Sequence, residues 1–319
     1  RRRRRDVATT STSAPAIPAA RALPRPRAAN GRWLPYLLAV PILAYEAVFI
    51  LYPIWQGLVA SLYTQSAIGR PPEWAGLGNY RRLLADGDFW KVTGNTIVYM
   101  VAVIAIAIGF GLFSATVLNR PFRGRTAARA MMTVPWAFPD VPAVLVFIWM
   151  LNPNFGVMNV LANLLPWVHA NPTCLFDPAL AMLSVILITA WKGFPFYSLV
   201  ILAALQGVPQ ELLEAARVDG ASRWQSFRAV TLPWISPTLL LLSVLAAIFS
   251  FKQFTIIWLL TGGGPSEATE TIVVRIYQTA FRFHDFSYAS AFGVAGFLIA
   301  LSIALLFLMI QRRQEMTAR

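Results

Sequence analysis

Four charged side chains interrupt segments that are otherwise apolar: Glu46, Asp140, Lys192 and Lys252. A charge at membrane depth costs on the order of 3 kcal/mol, so such a residue faces protein or water and marks a functional position by default. Prolines crowd two of them, with Pro135, Pro139 and Pro142 around Asp140, and Pro195 near Lys192 and Gly193. Proline frees backbone groups that only protein or a wet cavity can satisfy at that depth. The third, fourth and fifth apolar segments are therefore expected to surround a polar path. Two readings of Asp140 and Lys192 stand side by side: they neutralise each other across neighbouring helices, or Lys192 faces a solute. Glu46 reads as a helix-packing partner.

The same inventory points away from catalysis. No nucleophile stands beside a base, and no carboxylates form a plausible acid–base pair. No G-x-x-x-x-G-K-[ST] phosphate cradle occurs, so ATP is not expected to bind this chain. Cys174 is the only cysteine, and His169 and His284 are too few and too far apart in sequence for a metal site. The expectation is a chain with no catalytic residue, no metal and no cofactor.

What must position the polar path is a set of membrane spans. Hydrophobic residues make up 57% of 319, and the mean hydropathy is +0.58, more than a soluble domain carries. Six apolar segments, each near the roughly 20 residues a helix needs to cross a bilayer, fall at about 34–60, 94–118, 131–151, 179–205, 234–260 and 289–311. The fold class that follows is an all-α polytopic membrane protein of six transmembrane helices. Its net charge of +13 does not point to nucleic acid, because nine arginines precede Trp33 and most others sit in short loops on one side. With the basic end inside, 19 of the 27 Lys and Arg lie on that side, six on the other and two within spans. That asymmetry puts both termini in the cytoplasm. It puts loop 119–130, with Arg120, Arg123, Arg125 and Arg129, and loop 206–233 there too. Loops 61–93, 152–178 and 261–288 face out. Residues 1–31 read as a disordered basic tail, 32–313 as the membrane domain and 314–319 as a short cytoplasmic tail. The Gly76–Tyr80 and Thr261–Pro265 stretches of the outer loops read as tight turns with interfacial aromatic anchors.

Loop 206–233 is the longest polar interruption between strongly apolar segments and has an internal order of its own. Pro209 suits a first helical position, with Glu211 and Glu214 near the positive end of the helix. Ala215 and Ala216 give a smooth face, and Asp219-Gly220 is a turn signal. Ser222-x-x-Gln225 is a capping box opening a second helix, expected to end before Pro233. The result is a helix–turn–helix, either an ordinary amphipathic connector or a docking element.

The spacing Glu214-Ala215-Ala216, three residues, Gly220, nine residues, Val230, one residue, Leu232-Pro233 resembles the EAA loop of binding-protein-dependent ABC importer permeases. Val230 stands where that family usually has Ile. In the family this loop couples the membrane subunit to its ATPase. Gly76-Leu77-Gly78-Asn79-Tyr80, Val134–Pro139, Trp191–Phe196, Phe251–Phe254 and Leu260–Pro265 are similar to stretches of the sugar-importing branch. The likeness extends from about 34 to 311 and is nearest the larger permease subunits of maltose, trehalose and glycerol-phosphate importers, here as a six-span core. The resemblance implies a second, non-identical permease subunit, two ATP-binding subunits, an extracytoplasmic solute-binding protein and a bacterial cytoplasmic (inner) membrane. It implies ATPase coupling through Glu214, Ala215, Ala216, Asp219, Gly220, Leu232 and Pro233. Residue by residue, it places sugar contacts on Trp136, Asp140, Thr189, Lys192, Gly193, Phe249, Ser250 and Gln253. Asp140 and Lys192 replace smaller uncharged groups there, so the identity of the solute does not carry over.

The function expected is ATP-driven import of a sugar, a di- or oligosaccharide, by alternating access. A permease for another solute, such as a sugar phosphate or a polyamine, is the nearest alternative. A proton-coupled secondary transporter using Asp140 and Glu46, or a membrane scaffold, belongs to other classes. Six spans without inverted repeats and the coupling loop argue against the secondary transporter.

Overall fold

Apolar runs punctuated by Pro, Gly and Asp produce an almost wholly helical chain in the computed structural model, which describes residues 34–64, 71–164 and 171–317. The predicted basic tail 1–31 and His169 lie outside the described residues. Contacts divide the chain into two units, 1–52 and 53–319. In the first, α1 (Leu34–Glu46) passes into a π turn over Ala47–Leu51. The second begins within α2 (Tyr52–Ala60), followed by a short hairpin of β1 (Tyr63–Thr64) and β2 (Glu73–Trp74) and by α3 (Gly78–Ala85). Asn79 fastens that hairpin by donating to the carbonyls of Ser61 and Tyr63 at 2.8 and 2.7 Å.

Two unbroken helices carry the second unit: α4 (Gly87–Leu118) and, later in the chain, α8 (Pro178–Gln206). Each starts on a cap its sequence supplies. Asp86 accepts from the Asp88 N–H, and Asp177 from those of Ala179 and Leu180 with Pro178 in the first turn. Ala107, Gly111 and Ala115 recur every fourth residue and form a flat stripe on α4. A side chain at Gly111 would stand 3.1 Å from Tyr197 Cβ and 3.2 Å from the Ser198 nitrogen, so the backbones of α4 and α8 meet there.

Between them in sequence come α5 (Arg125–Ala137), α6 (Asp140–Met150) and α7 (Val157–Asn163). After α8 follow α9 (Gln210–Val218), α10 (Arg223–Ser226), a π turn over Phe227–Thr231, α11 (Leu232–Phe251) and α12 (Thr255–Thr261). The chain closes with α13 (Ile272–Tyr277), a π turn over Gln278–Arg282 and α14 (Phe286–Thr317).

Among the described residues the core forms three clusters, two of which make a first and a second layer along α4 and α8. One gathers Ala107 and Ala115 of α4, Ile201 and Leu205 of α8, and Ile235, Leu242 and Ala246 of α11, with Ala128 and Met132 of α5 against it. The other gathers Tyr99 and Val103 of α4, Val185 and Ile188 of α8, Val144 of α6 and Ile256, Ile257 and Leu260 of α12. Helices α4 and α8 run through both layers. The predicted third and fifth spans do not: each is cut between them.

Several expected boundaries need correction. The second segment begins at Gly87 rather than 94, and the sixth at Phe286 rather than 289, because polar first turns are capped and packed rather than left as loop. The third span is two helices bent by 93°. Pro139 lacks an N–H and forces Phe138 into an extended conformation (φ −74°, ψ 133°), so the helix cannot continue. The fifth starts at Arg223 and stops at Phe251, with 255–261 a separate helix. Nor does the second loop helix end before Pro233. The Leu232 N–H reaches back five residues to the Phe227 carbonyl, a π turn that admits Pro233 into one helix from Arg223 to Phe251. The described residues thus hold five helices long and apolar enough to cross a membrane, or six if the bent pair is one span.

Candidate functional site

The two breaks face one cavity of about 210 Å³ at the junction of the core layers. Helix α5 brings Trp136 to its wall, and α8 brings Thr189, Lys192 and Gly193. Phe249 and Ser250 come from the end of α11, and Gln253 from the gap before α12. Seven of the eight predicted solute-path residues therefore share one cavity, and the eighth, Asp140, is paired with Lys192 beside it.

The geometry of each follows from its element. Asp140 occupies the first turn of α6, where a carboxylate meets the positive helix end. Its Oδ1 lies 3.0 Å from Lys192 Nζ, and the same ammonium donates to the Phe138 carbonyl. Trp136 stacks on Phe196 with ring centroids 5.9 Å apart and remains 53% exposed. Thr189 Oγ1 accepts from the buried Tyr99 hydroxyl at 2.9 Å. Lys252 caps α11 and holds its ammonium 5.1 Å above the Phe249 ring. Flat aromatic faces, short hydroxyls and an amide in one small cavity are what hold the C–H surfaces and hydroxyls of a polyol. A larger space of about 520 Å³ in the elbow of α5 and α6 is walled by Val134, Pro135, Val146 and Trp191 and offers almost no polar group, so it does not suit such a solute.

Beyond the C-terminal end of α8, the predicted helix–turn–helix is present. Leu213 and Val230 pack onto the core layer that holds Ile201, Leu205 and Ile235 and fix it to the bundle. Glu214, Ala215, Asp219 and Gly220 are exposed, and Ala216 is half-buried. Gly220 has φ +76°, the left-handed conformation that ends α9, with no atom within 4 Å of where a Cβ would stand. The capping box is complete: Ser222 accepts from the Gln225 N–H, and the Gln225 side chain accepts from the Ser222 N–H. Pro209 is the residue before the helix rather than its first. Val218 and Trp224 flank the turn at 88% and 67% exposure, with the Trp224 ring stacked on Phe227 at 5.7 Å between centroids.

One polar assembly escaped the sequence reading. Segment 266–272 is strapped onto one face of the first turns of α4. Lys91 donates to the Ser266 carbonyl and Glu267, Asn95 to the Glu267 and Glu270 carbonyls, and Thr96 Oγ1 accepts from the Ile272 N–H. Arg275 closes the strap on Asp88 at 2.6 Å, Glu270 at 3.3 Å and Glu267 at 3.6 Å. Burial pushes the Glu270 carboxyl above the usual carboxylate range, against the pull of Arg275. The hydrogen bond from Lys91 holds Glu267 below it. Gly263 must be glycine here, since φ is +95° and a Cβ would stand 3.2 Å from Val274 Cγ1. So the Thr261–Pro265 stretch is the tight turn expected, and it leads into a strap that begins at Ser266. The signal available was the spacing of Asp88, Lys91 and Asn95 along one helical face.

Comparison with known proteins gives a family and relatives. Residues 107–316 match the family described as binding-protein-dependent transport system inner membrane component. The trehalose/maltose transport system permease protein of Thermococcus litoralis is 32% identical over 279 residues, covering 88% of this chain and 94% of that protein. The sulfoquinovosyl glycerol transport system permease protein of Agrobacterium fabrum is 33% identical over 297 residues, covering 89% and 94%. Among solved structures, a chain of a bacterial alginate ABC transporter in complex with an alginate pentasaccharide-bound periplasmic protein superposes with a TM-score of 0.74. It is 25% identical over 88% of this chain and 94% of that one.

Proposed function

This chain belongs to the binding-protein-dependent transport system inner membrane components, and from that premise we propose that it is one permease subunit of an ABC importer for a saccharide. In this reading it pairs with a second, non-identical permease subunit, two ATP-binding subunits and an extracytoplasmic solute-binding protein in the bacterial cytoplasmic membrane. Both termini and the 206–233 loop face the cytoplasm. The observation that carries the reading is the single cavity at the breaks of the third and fifth spans, where Trp136, Phe249, Thr189, Ser250 and Gln253 converge. Trp136 and Phe249 cover sugar rings, and the hydroxyls and amide take their hydroxyl groups.

The mechanism is alternating access. Closure of the ATPase pair moves the exposed Glu214–Gly220 surface, and α8 and the continuous Arg223–Phe251 helix carry that motion to the cavity. A rigid link is favoured by the π turn, which keeps this second helix whole from the loop to Phe251. An anionic saccharide is a second reading. Lys252 has no carboxylate at ion-pair distance among the described residues, and it sits on a cavity aromatic. The relative for sulfoquinovosyl glycerol and the alginate importer fit that reading. Two lysines beside the cavity disfavour a polyamine, and the pairing of Asp140 with Lys192 disfavours a proton relay. Energy dependence is the test: uptake by the assembled importer should require ATP hydrolysis by the partner subunits. Uptake driven by a proton gradient alone would overturn the proposal.

A further inference from the structure

In an unbroken helix the carbonyl of residue 138 would accept from the N–H of residue 142, and residue 142 is proline. Pro139 lacks an N–H as well, and the chain turns by 93° at this point. The Phe138 carbonyl is therefore left without a helical partner, on a residue that lines the apolar elbow of α5 and α6, where an unmet acceptor is costly. Lys192 supplies the donor. Its ammonium donates to that carbonyl and stands 3.0 Å from Asp140 Oδ1, and its side chain is only 15% exposed. One side chain on the continuous α8 thus grips both flanks of the break, the end of α5 through Phe138 and the first turn of α6 through Asp140.

We propose that Lys192 is a positioning residue whose ammonium takes the place of the backbone N–H that Pro142 lacks, pinning the break of the third span to α8. The pin keeps Trp136, two residues before Phe138, in the cavity wall. It also keeps α6 packed through Val144 against α12 in the core layer that holds Tyr99, Ile256 and Ile257. This inference rests on the reading of the cavity as the solute path, and takes Lys192 out of the set of direct solute ligands.

A plain ion pair and a pin on a carbonyl respond differently to substitution. Removing both charges restores a plain pair. A pin is lopsided. Asp140→Asn keeps an acceptor and leaves the bond from Lys192 to Phe138 intact, whereas Lys192→Met loses both bonds. The double variant D140N/K192M is neutral yet still leaves the carbonyl bare. Lys192→Arg keeps a donor able to bridge a carbonyl and a carboxylate.

The experiment is hydrogen exchange of the 139–150 amides in the complete importer held in lipid nanodiscs, with membrane abundance measured alongside. The expected result is exchange about tenfold faster or more in K192M and in D140N/K192M, and within about threefold of wild type in D140N and K192R. Amides of 206–233 should not change in any variant. A wild-type rate in the double variant would overturn the pin in favour of a plain ion pair, and a wild-type rate in K192M would overturn it outright. If K192M fails to reach the membrane, abundance decides: a double variant equally scarce supports the pin, and a restored one overturns it. Exchange needs no transport, so a failure of ATP-dependent uptake would sink the functional reading without altering this comparison.

Discussion

Arg275→Met tests whether the strap across α4 is an energetic unit. Glu270 is 1% exposed and Arg275 12%, so their pair is effectively buried, while Asp88 and Glu267 are about half exposed at 49% and 42%. Removing one partner of a buried pair costs about 3–5 kcal/mol, because the remaining charge is left without compensation. The two half-exposed partners add at most about 1 kcal/mol each, since water screens them. Most of the loss should therefore come from Glu270, and Glu270→Gln in the same chain should restore that part of it.

The pH dependence has a definite sign. Burial already raises the Glu270 carboxyl pKa, and Arg275 opposes that rise. A raised carboxyl favours the fold below its unfolded pKa, and that contribution is lost as pH rises through the folded value. Without Arg275 the carboxyl climbs further, so the deficit of R275M is largest in alkali and shrinks in acid. Glu267 runs the other way: its lowered pKa contributes stability above the unfolded value that is lost as pH falls, and Lys91, its main cause, remains in the variant. Thermal melts of the purified importer at about pH 8 and pH 5, for R275M, E270Q and the double variant, read all of this. A wild-type melt for R275M at the higher pH, a deficit that widens in acid, or additive losses in the double variant would refute the reasoning.

Gly111→Leu should lower stability by about 1–3 kcal/mol and reduce membrane abundance, because the new side chain meets Tyr197 and the Ser198 backbone. Gly109→Leu, with nothing within 4 Å of its Cβ position, is the matched control and should stay near wild type. Gly220→Val should reach the membrane at nearly wild-type level, since its cost is the roughly 1–2 kcal/mol of a left-handed backbone rather than a clash, yet lose coupled transport. Glu214→Lys, on the same exposed surface, should behave alike, and normal uptake by both would remove the coupling role.

Local signals made some of this architecture legible in the sequence. The continuous spans were, since α8 has clean ends in Asp177-Pro178 and Gly207 and a full apolar run between. The helix–turn–helix was, because Ser222, Gln225 and Gly220 act within a few residues of themselves. The charged residues Asp140 and Lys192 and the prolines around them pointed to the cavity. What they could not give was the 93° bend, because whether proline merely loosens a span or cuts it depends on donors from elsewhere, here Lys192. Pro233 failed as a stop for the same reason in reverse, since the π turn over Phe227–Thr231, just upstream, absorbed it. The strap was hidden because Arg275 meets Asp88 across 187 residues of chain, a separation that no local signal spans.

The most direct measurement of the central claim is uptake of labelled saccharides, with trehalose as the first probe, into proteoliposomes holding the complete importer and its solute-binding protein. Two arms are run, one with the phosphate-binding lysine of the partner ATPase replaced and one with a protonophore. Coupling through the 206–233 surface predicts that uptake stops in the first arm and continues in the second. Uptake that survives the loss of ATP hydrolysis and collapses with the proton gradient would contradict it.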